Sequence, residues 1–332
     1  MQTTLPARLY GDPDAWARER AGVFGRAWLF LGHEAEAAGP GDWIATDLAG
    51  HRLLMIRGGD GTLRAFHNVC RHRAGPLVQG ASGRCEGEMV CAYHGWRYAL
   101  DGRLRAATGF GAVDGFDPRD FGLLAVRLET WRGLVFVNLD AGAAPLADHV
   151  APLEALLAAR GLTLAAPALR RTHDLACDWK VYAENYLEGY HIGVVHPVLA
   201  GELGSADYHV RIDGDLVVQE AVGVNDGPQA GVWGWLWPNL GINVYRDGAM
   251  IERMTPVGPG RVRLDYLFLN DCGPAALGDA LAASDRLTAE DARICEAVQA
   301  NLSAGAYDRG VLSPRHEGAV GWFQSRIAEV HP

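Results

Sequence analysis

Two short stretches constrain this chain more than any bulk property. Cys70-Arg71-His72 and Cys91-Ala92-Tyr93-His94 are soft-metal ligand pairs with eighteen residues between them. Each pair lies in a loop at the end of a strand-like run. Two thiolates and two imidazoles suit a tetrahedral zinc site, or a cluster in which two His replace two Cys on one iron. The C-x-H spacing is not that of a zinc finger. The plain alternative is two free thiols with two structural His. Cys85 falls between the pairs without a partner and reads as an ordinary thiol, and Arg71 and Arg73 read as solvated charges or as groups that position an approaching redox partner.

Around these pairs the sequence is organised for two domains, as 332 residues at roughly 150 per domain suggest. Residues 14–30 carry apolar positions at helical spacing. HRLLMIRG, LRAFHNV, MVCAYH and WRYAL then read as short strands, with Asp101-Gly102 as a hairpin signal. LLAVRLETW and GLVFVNLD complete a small antiparallel β domain. Beyond an Ala- and Pro-rich stretch containing the helix-like PLEALLAAR, DWKVYAENYLEGYH has helical character. YHVRID, DLVVQEAV, INVYRDG, MIERMTPV and RVRLDYLFL read as strands, and a last helix is expected over about 289–302. Strands, helices, strands and a closing helix give an α+β fold rather than alternating βαβ units. The expected division is 1–37, a helical segment packing on the larger domain; 38–142, the β domain; and 143–332, a larger α+β domain. A formal charge of −10 argues against nucleic acid or an anionic membrane as partner. No apolar run reaches the roughly 18 residues of a spanning helix. MQTTLPARLYGDPDAW lacks the basic and apolar regions of a signal peptide, so a cytoplasmic location is expected.

The text around the ligand pairs narrows the metal. FHNVCRHRAGPL followed by VCAYHGWRYALDGRL resembles the Rieske iron–sulfur domain. The resemblance implies a 2Fe-2S cluster with Cys70 and Cys91 on one iron and His72 and His94 on the other. Neutral imidazoles in place of thiolates raise the reduction potential, so such a centre carries electrons.

What the electrons are for is suggested further on. His191 and His196 lie close in sequence, and one carboxylate would complete the 2-His-1-carboxylate triad of non-heme iron oxygenases, which leaves positions open on Fe(II). On their own, two His five apart are better explained by a core or surface pair. With the upstream motif, the stretch from Asp178 to His196 resembles the catalytic domain of Rieske non-heme iron oxygenase α subunits, a helix-grip-like fold. That resemblance implies Asp291, in LTAEDARICEAVQ, as third ligand, with Glu290 as the fallback. Thr288-x-x-Asp291 also has the spacing of a helix cap. The family places a bridging carboxylate at Glu188, between a mononuclear-site His and a cluster His of the adjacent subunit in a trimer. Glu rather than the commoner Asp at that position resembles the branch acting on choline, glycine betaine and carnitine. Asp178 and Glu184 read as solvated helix charges, and Asn185 and Tyr190 as residues shaping the site.

Trp233, Trp235 and Trp237 stand at period two, so one strand would present them on one side. Core packing explains such a stripe, and so does a pocket wall holding either a quaternary ammonium or a planar ring. The resemblance thus implies the terminal component of a multicomponent oxygenase. A reductase, directly or through a ferredoxin, would supply electrons, with NAD(P)H acting only through that partner. O₂ at the mononuclear iron would hydroxylate a small organic substrate, either a methylammonium compound, leading to N-demethylation, or an arene. A Rieske electron carrier without oxygenase activity is the alternative, and it would have no use for His191, His196 and Asp291. A zinc-bound structural protein is a weaker one.

Overall fold

Short apolar runs between residues 29 and 138 become ten strands, because each run is closed by a Gly-, Asp- or Pro-rich turn that stops it. They belong to one of the two units into which the chain divides, Arg26–Leu146; the other joins Met1–Gly25 to Ala147–Pro332. The computed structural model describes residues 2–203, 207–222, 229–245, 248–270 and 274–331.

In the β unit, β1 (Leu29–His33), β2 (Asp42–Leu48), β3 (His51–Arg57), β4 (Leu63–His67) and β5 (Ser82–Arg84) are followed by β6 (Glu88–Val90), β7 (Arg97–Ala99) and β8 (Leu104–Ala106). The last two strands are β9 (Ala125–Trp131) and β10 (Leu134–Asn138). A seven-stranded antiparallel sheet runs in the order β1-β10-β9-β4-β3-β2-β5, and β6-β7-β8 form a separate three-stranded sheet. The unit starts at Arg26 rather than at residue 38. The expected helical segment breaks there, because Leu29–His33 is wholly buried and pairs with β10. The β7–β8 hairpin turns at Gly102, whose φ is +88° and where a Cβ would lie 2.5 Å from the Phe66 ring. Both constraints require glycine. Trp43, Leu54, Phe66, Trp96 and Tyr98 form the core, and Cys70 and Cys91 are buried in it.

The second unit contains α1 (Pro13–Glu19), α2 (Leu146–Ala159), β11 (Leu169–Leu175), α3 (Trp179–Tyr186), α4 (Ile192–Val195) and α5 (Pro197–Leu203). There follow β12 (Asp207–Asp213), β13 (Leu216–Val222), β14 (Gln229–Leu236), β15 (Leu240–Tyr245), β16 (Gly248–Gly258) and β17 (Arg261–Asn270), then α6 (Pro274–Ser303) and α7 (Gly318–Ala328). The strands make one antiparallel sheet, β11-β17-β16-β15-β14-β13-β12. The Arg246-Asp247 end of the INVYRDG run lies outside the described residues.

Two helix boundaries differ from expectation. The helix expected to close the chain is α6, which is thirty residues long, starts at Pro274 rather than near residue 289, and is followed by the unanticipated α7. ALGDALAASDRL, rich in Ala and Leu, sustains α6 through Thr288, so Thr288 is no cap. Its hydroxyl instead donates 2.9 Å back to the Ser284 carbonyl, as hydroxyls do inside helices. Conversely α3 stops at Tyr186, and residues 188–191 form a turn rather than continuing the helix. At Gly189 a Cβ would meet the Tyr208 ring at 2.4 Å, so only glycine lets the chain turn there.

Asp178 and Glu184 are not solvated. Asp178 caps α3 through Lys180 N, accepts from Gly11 N at 3.0 Å and pairs at 2.7 Å with buried Lys180, which also reaches Glu19 at 2.8 Å. Glu184 accepts from the Tyr10 hydroxyl at 2.6 Å and from Gln324 at 3.0 Å. Burial pushes its pKa up to about 7. A carboxyl raised in the folded state stabilises the fold below its unfolded pKa, and that contribution disappears as pH rises through 7. Thermal unfolding is therefore expected at lower temperature at pH 8 than at pH 6, with Glu184 accounting for about 1 kcal/mol of the difference. Glu184→Gln keeps the accepting oxygen and should flatten that difference. A wild-type slope retained in Glu184→Gln assigns it to other groups.

Candidate metal centres

The α3–α4 turn and helix α6 bring together three side chains distant in sequence. One potential ligand atom each of His191, His196 and Asp291 lies within 4.8 Å of the other two. His196 Nε2 is 3.0 Å from Asp291 Oδ1, and His191 Nε2 is 3.7 Å from the same oxygen. The opposite ring nitrogens are held by other carboxylates. His191 Nδ1 is 2.6 Å from Glu188 Oε1, and His196 Nδ1 is 2.7 Å from Glu290 Oε2. A carboxylate at Nδ1 keeps the proton there and leaves Nε2 free to ligate, so both rings present their lone pairs to one point. Asn185 donates to Asp291 Oδ1 at 2.7 Å and fixes the carboxylate between them. Burial alone would lower the His196 pKa, but Asp291 and Glu290 outweigh it and raise it. The geometry and the charge both suit a divalent cation, and two imidazoles with one carboxylate suit non-heme Fe(II).

Glu188 uses both oxygens within the chain: Oε1 on His191, and Oε2 on the Tyr190 and His191 backbone N–H groups. The contact arises from the turn, not from helical i,i+3 spacing. Sequence reasoning treated Glu290 only as a substitute ligand, whereas its carboxylate holds the far nitrogen of His196.

His191, His196, Asp291, Glu188 and Asn185 border a cavity of about 720 Å³ including its mouth. Its floor is the sheet. Gln219, Trp233, Asn243 and Met250 stand in one cross-strand row, and Gly241, Glu252 and Tyr266 stand two residues along. Of the tryptophan stripe, only Trp233 reaches the cavity. Trp235 and Trp237 pack edge-on at 5.9 Å against each other and against Trp322 and Phe323 of α7, which covers that end of the sheet. Tyr190 is also outside; it is exposed and stacks on His316 at 4.6 Å. Glu252, Tyr182 and Tyr266 were not anticipated as pocket residues. A charged position in the alternating run MIERMTPV was the one signal for Glu252.

In the β unit the two ligand loops have the same backbone design. Cys70 N–H donates to Gly75 O and Cys91 N–H to Trp96 O, while Ala74 and Gly95 N–H donate back to the Cys70 and Cys91 carbonyls. Each loop turns through a left-handed residue, Ala74 at φ +55° and Gly95 at φ +70°. The loops pack so closely that a Cβ on Gly75 would lie 2.9 Å from Cys91 Sγ. His72 and His94 meet edge to face at 4.6 Å, and Trp96 stacks on His72 at 4.9 Å. His72 Nδ1 is buried with no hydrogen-bond partner among the described residues. The Tyr98 hydroxyl, 3.3 Å from Cys70 Sγ, accepts from Arg71 N–H. Two buried thiols, an orphaned imidazole nitrogen and its companion ring are a donor set that fits a two-iron cluster. Cys85 is half-buried, Arg71 donates to Gly122 O at 3.0 Å, and Arg73 lies over the Tyr93 ring.

Comparison with known proteins agrees with both centres. Residues 27–117 match the Rieske [2Fe-2S] domain, and residues 162–220 and 217–331 match the ring hydroxylating alpha subunit (catalytic domain). The carnitine monooxygenase oxygenase subunit of Escherichia coli (strain K12) is 34% identical over 255 residues, covering 73% of this chain and 67% of that protein. The chloroplastic choline monooxygenase of Arabidopsis thaliana is 28% identical over 344 residues, covering 95% and 81%. A quaternary ammonium Rieske monooxygenase solved with L-carnitine superimposes with a TM-score of 0.86 at 26% identity, over 99% of this chain and 96% of that one. Naphthalene 1,2-dioxygenase shares the fold, with a TM-score of 0.79 at 20% identity, over 98% and 92%. Among the described residues no helix is long and apolar enough to cross a membrane. The chain belongs to the Rieske oxygenase α-subunit family, as a terminal component that carries a 2Fe-2S cluster and mononuclear iron, receives electrons from a reductase and spends O₂ on a small organic substrate.

Proposed function

We propose that the chain hydroxylates a small quaternary ammonium compound at a carbon attached to nitrogen. One observation carries the choice over an arene: Tyr182, Tyr186, Tyr208, Trp233 and Tyr266 line the cavity together with Glu188, Glu252 and Asp291, and no Lys or Arg is among its described lining residues. Ring faces and carboxylates both favour a cation, whereas a neutral ring gains nothing from the charge. The similarity to choline and carnitine monooxygenases supports the same reading.

In this reading Cys70, Cys91, His72 and His94 hold the cluster, and His191, His196 and Asp291 hold the mononuclear iron. When bound, these groups supply single-electron transfer and O₂ activation. The chain's own residues do the rest. Glu188 and Glu290 keep the protons of His191 and His196 on Nδ1, so that the rings do not rotate away from the metal. Asn185 keeps Asp291 from swinging toward solvent, and the aromatic walls exclude water from the reacting carbon. Hydroxylation of an N-methyl group gives an N-hydroxymethyl ammonium. Its C–N bond breaks to release formaldehyde and a tertiary amine, with the hydroxyl proton passing to water. The family resemblance implies that Glu188, besides its contacts within the chain, also reaches a cluster His of a neighbouring subunit in a homotrimer. A reductase, directly or through a ferredoxin, feeds the cluster in the cytoplasm.

With a surrogate reductase, choline, glycine betaine and carnitine are expected to drive O₂ consumption matched by aldehyde or amine release. Benzoate and naphthalene are expected to give none. Ring hydroxylation without amine release would reverse the substrate assignment.

A further inference from the structure

Glu252 stands at the centre of β16 on the cavity floor, between Gly241 of β15 and Tyr266 of β17. It is 2% exposed. The Tyr182 hydroxyl lies beside its carboxyl. Its Oε1 is buried and has no hydrogen-bond partner among the described residues. A buried carboxyl oxygen without a partner costs on the order of 1–3 kcal/mol, so a fold keeps one only where something else satisfies it. No described side chain of the cavity's own lining is a hydrogen-bond partner for it, and no Lys or Arg is among those residues. Gly241 keeps the approach open. A side chain there would meet the Tyr186 hydroxyl at 3.1 Å and Glu252 Cβ at 3.3 Å.

The other two carboxylates in the cavity are already engaged, Glu188 by His191 and the turn, and Asp291 by Asn185 and His196. Two neutral imidazoles and one carboxylate would leave an Fe(II) with one uncompensated positive charge facing the cavity, since Glu188 and Glu290 lie behind the rings, on the far nitrogens. A substrate that is itself a cation therefore enters a cavity holding another cation on its helical wall. The repulsion persists unless a negative group stands on the opposite wall. Glu252, on the sheet, is the acidic side chain in that position.

We propose that Glu252 is the counter-ion of the substrate ammonium and determines the preference for a cationic over a neutral substrate of the same shape. This deepens the quaternary ammonium reading and rests on it. Burial and the Asp291 charge push the Glu252 pKa up to about 8, and a cation beside the carboxyl favours the ionised form. The aromatic walls would then set the fit of the methyl groups, while Glu252 reads the charge. It is a specificity residue; it holds neither metal nor reacting atom.

The test compares choline with 3,3-dimethylbutan-1-ol, in which carbon replaces the charged nitrogen. Binding is measured by anaerobic calorimetry on the iron-loaded enzyme, so the result does not depend on turnover. Wild type is expected to bind choline at least about tenfold more tightly than the alcohol. Glu252→Gln, nearly the same size, is expected to weaken choline about ten- to a hundredfold and to change the alcohol less than about threefold. KM for choline should rise with it, while kcat at saturation changes much less. If wild type does not distinguish the two ligands, the quaternary ammonium reading falls and this inference with it. If wild type prefers choline and Glu252→Gln keeps the whole preference, the reading stands and the role of Glu252 is overturned. Equal weakening of both ligands makes Glu252 a wall residue and also overturns it. Should Glu252→Gln lose iron or its cooperative unfolding, Glu252→Asp replaces it in the same titration. Retaining but withdrawing the charge should weaken choline several-fold and spare the alcohol, and an unchanged choline affinity again overturns the proposal.

Discussion

Asp291→Ala is expected to abolish substrate oxygenation while the visible absorption of the cluster stays that of wild type. Asp291 supplies the oxygen on which both Nε2 atoms converge, at 3.0 and 3.7 Å. Removing it leaves two neutral imidazoles, a poor site for a hard divalent ion. Iron should fall from about three per chain to about two, the cluster's share. The β unit contains its own ligands and core, which is why the absorption should survive. His191→Ala and His196→Ala are expected to behave alike. If Asp291→Asn lowers the melting temperature but keeps all the iron and activity, Asp291 is structural and Glu290 is the carboxylate to test next.

Glu188→Gln is expected to slow reoxidation of the reduced cluster about ten- to a hundredfold, the usual range for losing a carboxylate behind a ligating His. Glu188 engages His191 with one oxygen and two backbone N–H groups with the other. A glutamine has a single acceptor and must abandon one of the two tasks. The ring ligand can still bind, so both irons should load and an external donor should reduce the cluster at the normal rate. Rapid mixing with substrate and O₂ then isolates the step between the centres. Glu188→Asp, with one methylene less, should recover only part of the rate. A wild-type rate in Glu188→Gln would leave Glu188 as a residue of the turn alone.

The pairs at 70–72 and 91–94 were legible because metal ligation demands residue types that chance rarely groups in two neighbouring loops. Most strands were legible from apolar runs between turn residues. The errors share a different cause, tertiary context that local pattern does not contain. Thr288 and Asp291 have cap spacing whether a helix starts there or passes through, and the difference lies in sequence fourteen residues upstream. Trp233 and Trp235 share a face as period two requires, but α7, nearly ninety residues away, decides which of them meets the cavity. Glu252 reads as one more polar residue in a strand, because its significance lies in neighbours on β15 and β17 and in the helices above them. Glu290 and Asp291 are adjacent acids, and only the position of the His196 ring separates their tasks.

The grip on His196 has a consequence for how the catalytic unit is assembled. Consecutive residues of α6 hold the two nitrogens of one imidazole, so the ring acts as a key that accepts the helix in a single rotational setting. A metal joining His196 to Asp291 would then close a loop of 95 residues. As a cross-link, such a closure removes chain entropy worth on the order of 4–5 kcal/mol from the unfolded ensemble. Iron supply would thus determine how much of the protein persists as well as how fast it works. A cell short of iron would hold less folded oxygenase, with no separate regulator needed to remove the idle copies.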